Sequence, residues 1–222
     1  MKRIALDIET TGLDPKLGHK IVEIGCIELE NNYPTGKSFQ QYINPERNMP
    51  EEALKIHGLT NDFLSNKPVF YEIADEFLEF IDNGELVIHN AKFDLGFLNY
   101  ELEIIKKRNL ENFKVLDTLT LAKKTFPGAA NNLDALCRRY NIDITKRQKH
   151  GALLDAELLA DVFLEMNGGR QQGINLNFQN KSSINHFEIK NNISYCKRVV
   201  DPNQDEAQSH EKLIEKIKNN SW

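Results

Sequence analysis

Residues 2–9, Lys-Arg-Ile-Ala-Leu-Asp-Ile-Glu, constrain the fold more than any other stretch of the chain. Ile4, Leu6 and Ile8 fall on one face of an extended backbone, and Ala5, Asp7 and Glu9 on the other. That period of two predicts a strand, which Thr10-Thr11-Gly12 ends. Carboxylates two residues apart on a strand point the same way. Neighbouring carboxylates repel unless a cation sits between them. Two readings follow: a polar strand end turned to water, or part of a cation site.

The body beyond this strand reads as mixed α/β. Ile21–Leu29, rich in β-branched residues, predicts a second strand and Ser38–Ile43 a third, joined as an antiparallel meander. Pro50 opens a short helix ending at His57-Gly58, where Gly58 suits the position just past a helix end. Phe70, Ile73, Ala74, Phe77, Leu78 and Ile81 carry helical spacing across Val69–Ile81, stopped by Asp82-Asn83-Gly84. Glu85–His89 predicts a short buried strand. The next helix runs from about Phe93 to Arg108, with Phe93, Phe97, Tyr100 and Ile104 sharing a face. Phe113–Leu116 predicts a fifth strand, and Thr118–Phe126, Leu133–Tyr140 and Ala152–Met166 the remaining helices. Asn131 or Asn132 is placed to cap the second of these. The expected fold is α/β, a five-stranded mixed sheet flanked by helices.

Composition divides the chain near Gly168-Gly169. Residues 1–170 carry 21 Lys and Arg against 27 Asp and Glu, whereas residues 171–222 carry 7 against 6. The second part is rich in Asn and Gln, and its apolar residues lose clear periodicity. We expect a domain over 1–170, long enough to bury its own core, and a flexible tail over 171–222. The net charge of −5 counts against a basic nucleic-acid coat protein. It leaves open an enzyme that handles nucleic acid through metal ions. No apolar run approaches the ~18 residues of a membrane span, and Met1-Lys2-Arg3 leads straight into the first strand rather than into a signal peptide. Cys26, Cys137 and Cys196 are too scattered for a disulfide framework or a zinc site. A cytoplasmic protein with reduced thiols and no membrane partner is expected.

Further acids stand where apolar residues would serve the fold. In His89-Asn90-Ala91-Lys92-Phe93-Asp94 a buried strand ends and a helix begins, with Asp94 in the first turn. An acid there also suits the helix dipole, and Asn90 also suits a plain cap. In His150-Gly151-Ala152-Leu153-Leu154-Asp155, Asp155 precedes Leu158, Leu159 and Val162 at helical spacing and so borders an apolar face, where it needs a partner. His150 lies about a turn before that helix. Four carboxylates and one imidazole suit Mg²⁺ or Mn²⁺ rather than zinc. Carboxylates converging on two such ions are the arrangement for phosphodiester hydrolysis. Of the basic runs, Lys106-Lys107-Arg108, Lys123-Lys124 and Arg138-Arg139 read as solvated helix faces and ends. Lys146-Arg147-Gln148-Lys149 flanks His150, as another solvated run or a contact for phosphates.

Asp7-Ile8-Glu9-Thr10-Thr11-Gly12, His89 to Asp94 and His150 to Asp155 resemble the three exonuclease motifs of the DEDD superfamily, His-containing branch. Ile56-His57-Gly58-Leu59-Thr60, Phe126-Pro127-Gly128, Asn132 to Cys137 and Lys146-Arg147 are similar to connecting segments of the epsilon, or proofreading, subunits of bacterial DNA polymerase III. The resemblance covers about 1–170 and implies a ribonuclease H-like fold and 3′→5′ exonuclease activity releasing nucleoside 5′-monophosphates. It implies that Asp7, Glu9 and Asp155 bind a first metal ion, that Asp7 and Asp94 bind a second, and that His150 is the general base. It places Glu52 and His57, with Asp7, Glu9, Thr10 and Asp155, against the terminal nucleotide. For His57 the plainer reading is a histidine at a helix C-terminus.

The tail carries two further likenesses. Gln171, Ile174 and Leu176 fit the Gln-x-x-aliphatic-x-hydrophobic pattern of peptides that bind the sliding clamp. Leu213, Ile214 and Ile217 fall at helical spacing, and His210-Glu211-Lys212-Leu213 with Trp222 are similar to the epsilon segment (about 206–222) that binds the polymerase catalytic (alpha) subunit, for which Leu213, Ile217 and Trp222 are the candidate contacts. The stretch from about 178 to 205 reads as a tether. The resemblance thus implies DNA 3′ ends, the alpha subunit and the clamp as partners, leaves room for a small theta-like subunit, and places the protein with the replisome at the nucleoid. Two other readings stay open at this point: a stand-alone exonuclease of the same superfamily acting on RNA or short oligonucleotides, and a non-catalytic scaffold joining clamp to polymerase.

Overall fold

The computed structural model describes residues 1–145, 147, 149–169 and 203–218. The chain forms two units, Met1–Ile174 and Asn175–Trp222. In the first, strands β1 (Lys2–Thr10), β2 (Ile21–Glu30), β3 (Tyr33–Tyr42), β4 (Glu85–Ile88) and β5 (Val115–Asp117) make one sheet in the order β3-β2-β1-β4-β5. β1, β2 and β3 pair antiparallel, while β4 and β5 continue the sheet in parallel. The mixed five-stranded architecture is the expected one.

Alternation along β1 supplies two cores. Ile4, Leu6 and Ile8 pack with Phe77 and Phe97 on one face, which the helices α3 (Phe70–Ile81) and α4 (Ala91–Ile104) cover. Ala5 packs on the other with Val87, Leu136, Leu159 and Phe163, under α5 (Thr118–Thr125), α6 (Leu133–Arg139) and α7 (Ala152–Met166). Asp7 and Glu9 share Ala5's face and therefore look toward α7. Two short helices, α1 (Glu51–His57) and α2 (Asn61–Leu64), lie between the meander and α3. The C-cap of α1 is Gly58 at φ 76°, as its sequence position requires.

Several boundaries move for identifiable reasons. β3 begins at Tyr33, not Ser38, because Asn31 and Asn32 (φ 54° and 74°) make a tight two-residue hairpin turn. Its first half, Pro34 to Lys37, is an exposed edge, where Pro and Lys are tolerated and no apolar period marks a strand. α4 starts at Ala91 and stops at Ile104, four residues short of the expected end. Lys106, at φ 56°, closes it: its N–H bonds the carbonyl of Glu103 (3.0 Å) and that of Lys107 the carbonyl of Leu102 (2.9 Å). The inward face of α4 is Ala91, Asp94, Phe97, Leu98, Glu101 and Leu102, whereas Ile104, expected to face inward, is exposed. The fifth strand is Val115–Asp117 rather than Phe113–Leu116. The one-turn α2, capped by Thr60, has too few residues to show a period. Asn132, not Asn131, caps α6, accepting from the Ala135 N–H. Both described cysteines, Cys26 and Cys137, are free and buried.

In the second unit, α8 spans Gln204–Lys218. A reciprocal capping box starts it, Asn203 Oδ1 accepting from Glu206 N–H (2.9 Å) and Glu206 Oε2 from Asn203 N–H (3.0 Å). Leu213 and Ile217 lie within α8. Gln171, Ile174, Leu176 and Trp222 lie outside the described residues. Among the described residues no helix is long and apolar enough to cross a membrane.

Candidate active site

The sheet brings its acids together where β1 and β4 end. Glu9 is buried near the end of β1, and Asp7 is half-buried behind it. Past the end of β4, Asn90 turns the chain at φ 70° into α4 and sets Asp94, 3% exposed, in the helix's first turn. Asn90 holds the cap position without capping through its side chain. Its N–H instead donates to Asp117 Oδ1 (3.1 Å), so the start of α5 fixes the start of α4. Asp155, also 3% exposed, stands in the first turn of α7. One ligand atom each from Glu9, His150 and Asp155 lies within 4.8 Å of the others, a group able to hold a metal ion.

The electrostatics are those of acids crowded out of water. Burial, then the Asp94, Glu9 and Asp155 charges, raise Asp7 well above the usual carboxylate range. Glu9 is pushed up to about 8, by burial first and then by Asp155. Asp94 is raised by burial, against the pull of its own backbone and that of Ile8. Asp155 differs. Burial works to raise it, but hydrogen bonds from His150 and Arg147 prevail and hold it below its ordinary value. Arg147 donates to both of its oxygens, Nε to Oδ1 at 2.6 Å and Nη2 to Oδ2 at 2.7 Å, and also pairs with Asp134. Arg147 is only 8% exposed, so it serves these two acids rather than standing as a free cation for phosphates.

His150 is exposed at its ring, and its backbone N–H bonds the carbonyl of Ile56 (3.2 Å), which ties the loop before α7 to α1. Its Nδ1 lies 3.1 Å from Asp155 Oδ2 and 2.7 Å from Arg147 Nη2. A neutral Nδ1 either accepts from Arg147 or donates to Asp155, not both. The hydrogen bond with Asp155 raises the His150 pKa. His57, the last residue of α1, is buried, and its Nδ1 accepts the Leu59 N–H (3.0 Å). That fixes the proton on Nε2, which has no hydrogen-bond partner. Burial lowers the His57 pKa, against the pull of the Thr10 backbone. Thr10 Oγ1 donates to the Gly12 carbonyl (2.6 Å). Glu52 is exposed in the first turn of α1, outside the hydrogen-bonded cluster. Sequence reasoning missed the part Arg147 plays, because four polar residues in a row read as a solvated surface. It also missed Glu23, a buried acid inside the apolar run of β2.

Known proteins resemble the chain over most of its length. The family model for exonucleases, of the RNase T type, matches residues 4–163. DNA polymerase III subunit epsilon of Rickettsia prowazekii (strain Madrid E) is 49% identical over 223 residues, covering 98% of this chain and 97% of the relative. That of Salmonella typhimurium is 43% identical over 229 residues, covering 97% and 93%. The chain belongs to the epsilon-subunit family of DNA polymerase III exonucleases. Among solved structures, the nuclease domain of 3′hExo, a DEDDh family member bound to rAMP, superposes with a TM-score of 0.63 at 17% identity, covering 75% of this chain and 92% of that one. Exonuclease X in complex with 5′ overhanging duplex DNA superposes at 0.59, with 22% identity over 74% and 90%. At that identity the two structures bear on the fold alone, which is the expected ribonuclease H-like one. Epsilon-family membership fits the tail as well as the body, since the Rickettsia and Salmonella matches run through both.

Proposed function

We propose that this chain is a 3′→5′ exonuclease that removes mispaired 3′-terminal nucleotides from DNA as the proofreading subunit of a replicative polymerase. The observation that carries the chemistry is the convergence of Glu9, His150 and Asp155 within 4.8 Å, beside Asp7 and Asp94, in an epsilon-family chain. The donor set fits hard divalent ions: oxygen ligands, with three carboxyls driven up by burial and then by a crowding of charge that a cation relieves. Asp7, Glu9 and Asp155 would hold one Mg²⁺ or Mn²⁺, and Asp7 with Asp94 a second. Such ions, when bound, supply an acidified water and offset charge on the phosphate and the leaving 3′-oxygen.

The chain's own groups do the rest. His150, held through Nδ1 by Asp155, keeps Nε2 for the proton of the attacking water, and its raised pKa suits a base near neutrality. The unpartnered Nε2–H of His57 donates to an acceptor on the terminal nucleotide, which removes the cost of burying it alone. Thr10 and Glu52 flank the same nucleotide. Gln171, Ile174 and Leu176 bind the sliding clamp. Leu213, Ile217 and Trp222 bind the alpha subunit, beside which a theta-like subunit has room. The protein then works in the cytoplasm, at the nucleoid. The mild acidity of the body accords with this, since hold on DNA comes through tail-bound partners and metal ions rather than a basic surface.

A primer–template with a 3′ mismatch, incubated with Mg²⁺, tests the activity. Release of 5′-monophosphates by wild type, and none by a folded Asp7→Ala variant, is expected. A wild-type chain that releases nothing yet binds clamp and polymerase would be the scaffold instead. Clamp affinity that is unchanged when Ile174 and Leu176 both become Ala would discard the clamp peptide.

A further inference from the structure

We propose that Glu23 is a positioning residue for Asp155, acting as the N-terminal cap that α7 lacks in its own sequence. The inference rests on the metal-site reading above. α7 begins after Gly151, which has no side chain to receive the first free N–H groups of the helix. Glu23, from the neighbouring β2, fills that place. Its Oε2 accepts the Ala152 N–H at 3.1 Å, in a bond buried from solvent, and the residue is 2% exposed. Its Oε1 accepts from Gln40 Nε2 at 2.8 Å, so each oxygen has a protein partner. An acid at a helix N-terminus is also favoured by the dipole, and the more so when buried.

The register shows why this matters to the site. Across the β1–β2 ladder, Glu9 lies opposite Glu23, and Asp7 opposite Gly25. A Cβ on Gly25 would stand 2.2 Å from the carbonyl carbon of Ala152, so the first turn of α7 rests directly on β2 at that residue. Asp155 follows within that turn, its N–H bonded to the Gly151 carbonyl (2.9 Å). Glycine lets the helix approach, and Glu23 locks its first N–H. Together they set the distance from Asp155 to the two acids across the ladder. Loss of the lock frees α7 to move and parts Asp155 from Glu9.

The rival role for Glu23 is purely electrostatic, a third negative charge beside Glu9. Two substitutions separate the roles. Glu23→Gln keeps an acceptor oxygen at the same reach without the charge, and Glu23→Asp keeps the charge but withdraws it by one methylene. Mn²⁺ is titrated calorimetrically into the full-length wild type and both variants, each checked by circular dichroism, and turnover of a 3′-mispaired primer is measured alongside. Positioning predicts Mn²⁺ affinity within about threefold of wild type for Glu23→Gln. It predicts about 10–100-fold weaker binding for Glu23→Asp, the usual effect of disturbing a residue that orients a ligand, with kcat falling in parallel and primer KM little changed. Glu23→Asp binding as well as or better than Glu23→Gln, or both binding as wild type does, overturns the inference. A wild type that binds no Mn²⁺ overturns the metal site itself, and this inference with it.

Discussion

Replacing Glu9 by Gln should stabilise the metal-free protein, although it removes a group at the centre of the site. Burial and Asp155 push the Glu9 carboxyl from 4.5 up to about 8. A folded-state pKa above the unfolded one means that the folded chain holds the proton longer. Stability is therefore intact below about pH 4.5 and is lost progressively as pH rises from there to about 8. Every pH step of one between those two values costs about 1.4 kcal/mol, so at pH 7.5 the ionisation of Glu9 opposes folding by about 4 kcal/mol. Glutamine is neutral at every pH and nearly the same shape, but it gives up some packing and orientation. About 2 kcal/mol of net gain is the expected remainder, which at about 2–4 °C per kcal/mol for a chain of this size raises Tm by about 4–8 °C.

The assay is thermal unfolding of wild type and Glu9→Gln in EDTA between pH 4.5 and 8.5. The gap should open with rising pH and close toward 4.5. Saturating Mn²⁺ should then reverse the order, because a ligand bound only by the folded wild type adds stability by mass action. A Glu9→Gln protein less stable than wild type at pH 7.5 in EDTA, or a gap that does not change with pH, would refute the picture of crowded, unbalanced acids.

Three further outcomes follow from single contacts. Arg147→Ala leaves Asp155 without its bidentate partner in a site where both were nearly buried, and should cost about 3 kcal/mol in urea unfolding; an unchanged midpoint would show the pair to be idle. Gly25→Ala drives a methyl into the Ala152 backbone and should destabilise by at least about 3 kcal/mol, which a near-wild-type Tm would contradict. His150→Ala should lower kcat on a mispaired primer by about 10²–10⁴-fold with primer KM within twofold, and near-full turnover would assign the base elsewhere.

The parts of the fold that were legible are those whose period is local. In β1 and α3 the apolar residues recur at the spacing the element imposes, and α7 is a long apolar run buried on most of its faces. β3 was only half legible, because an edge strand buries almost nothing on its outer half and so carries no alternation to read. The end of α4 was misplaced for a related reason: the stop is a backbone motif centred on Lys106, a residue with none of glycine's preference for positive φ. Ile104 then looked like core by spacing, although the chain had already begun to turn away.

The site divides along the same line. Asp7, Glu9 and Asp155 stand out because a carboxylate in an apolar pattern is costly and has to be explained locally, whereas Asp94 suits the dipole of its helix and is marked only by the resemblance of its motif. What holds them in place could not be seen that way. Glu23 breaks the same rule inside the apolar run of β2, but its role is legible only once the ladder sets it opposite Glu9 and beneath the first turn of a helix 129 residues later in the chain. Arg147 looks like one of four solvated polar residues until Asp134 and Asp155 close on it. The candidate ligands Asp7, Glu9 and Asp155 thus announce themselves by violating a local rule. The supports acquire their role only from register and close approach. That asymmetry has a physical consequence: one group, Asp155, is held low and ionised by its supports, while Asp7, Glu9 and Asp94 are left to be balanced from outside. The fold therefore fixes one anionic anchor, and on the proposed metal-site reading a bound cation balances the remaining acids, so that the site's cohesion would depend on that ion.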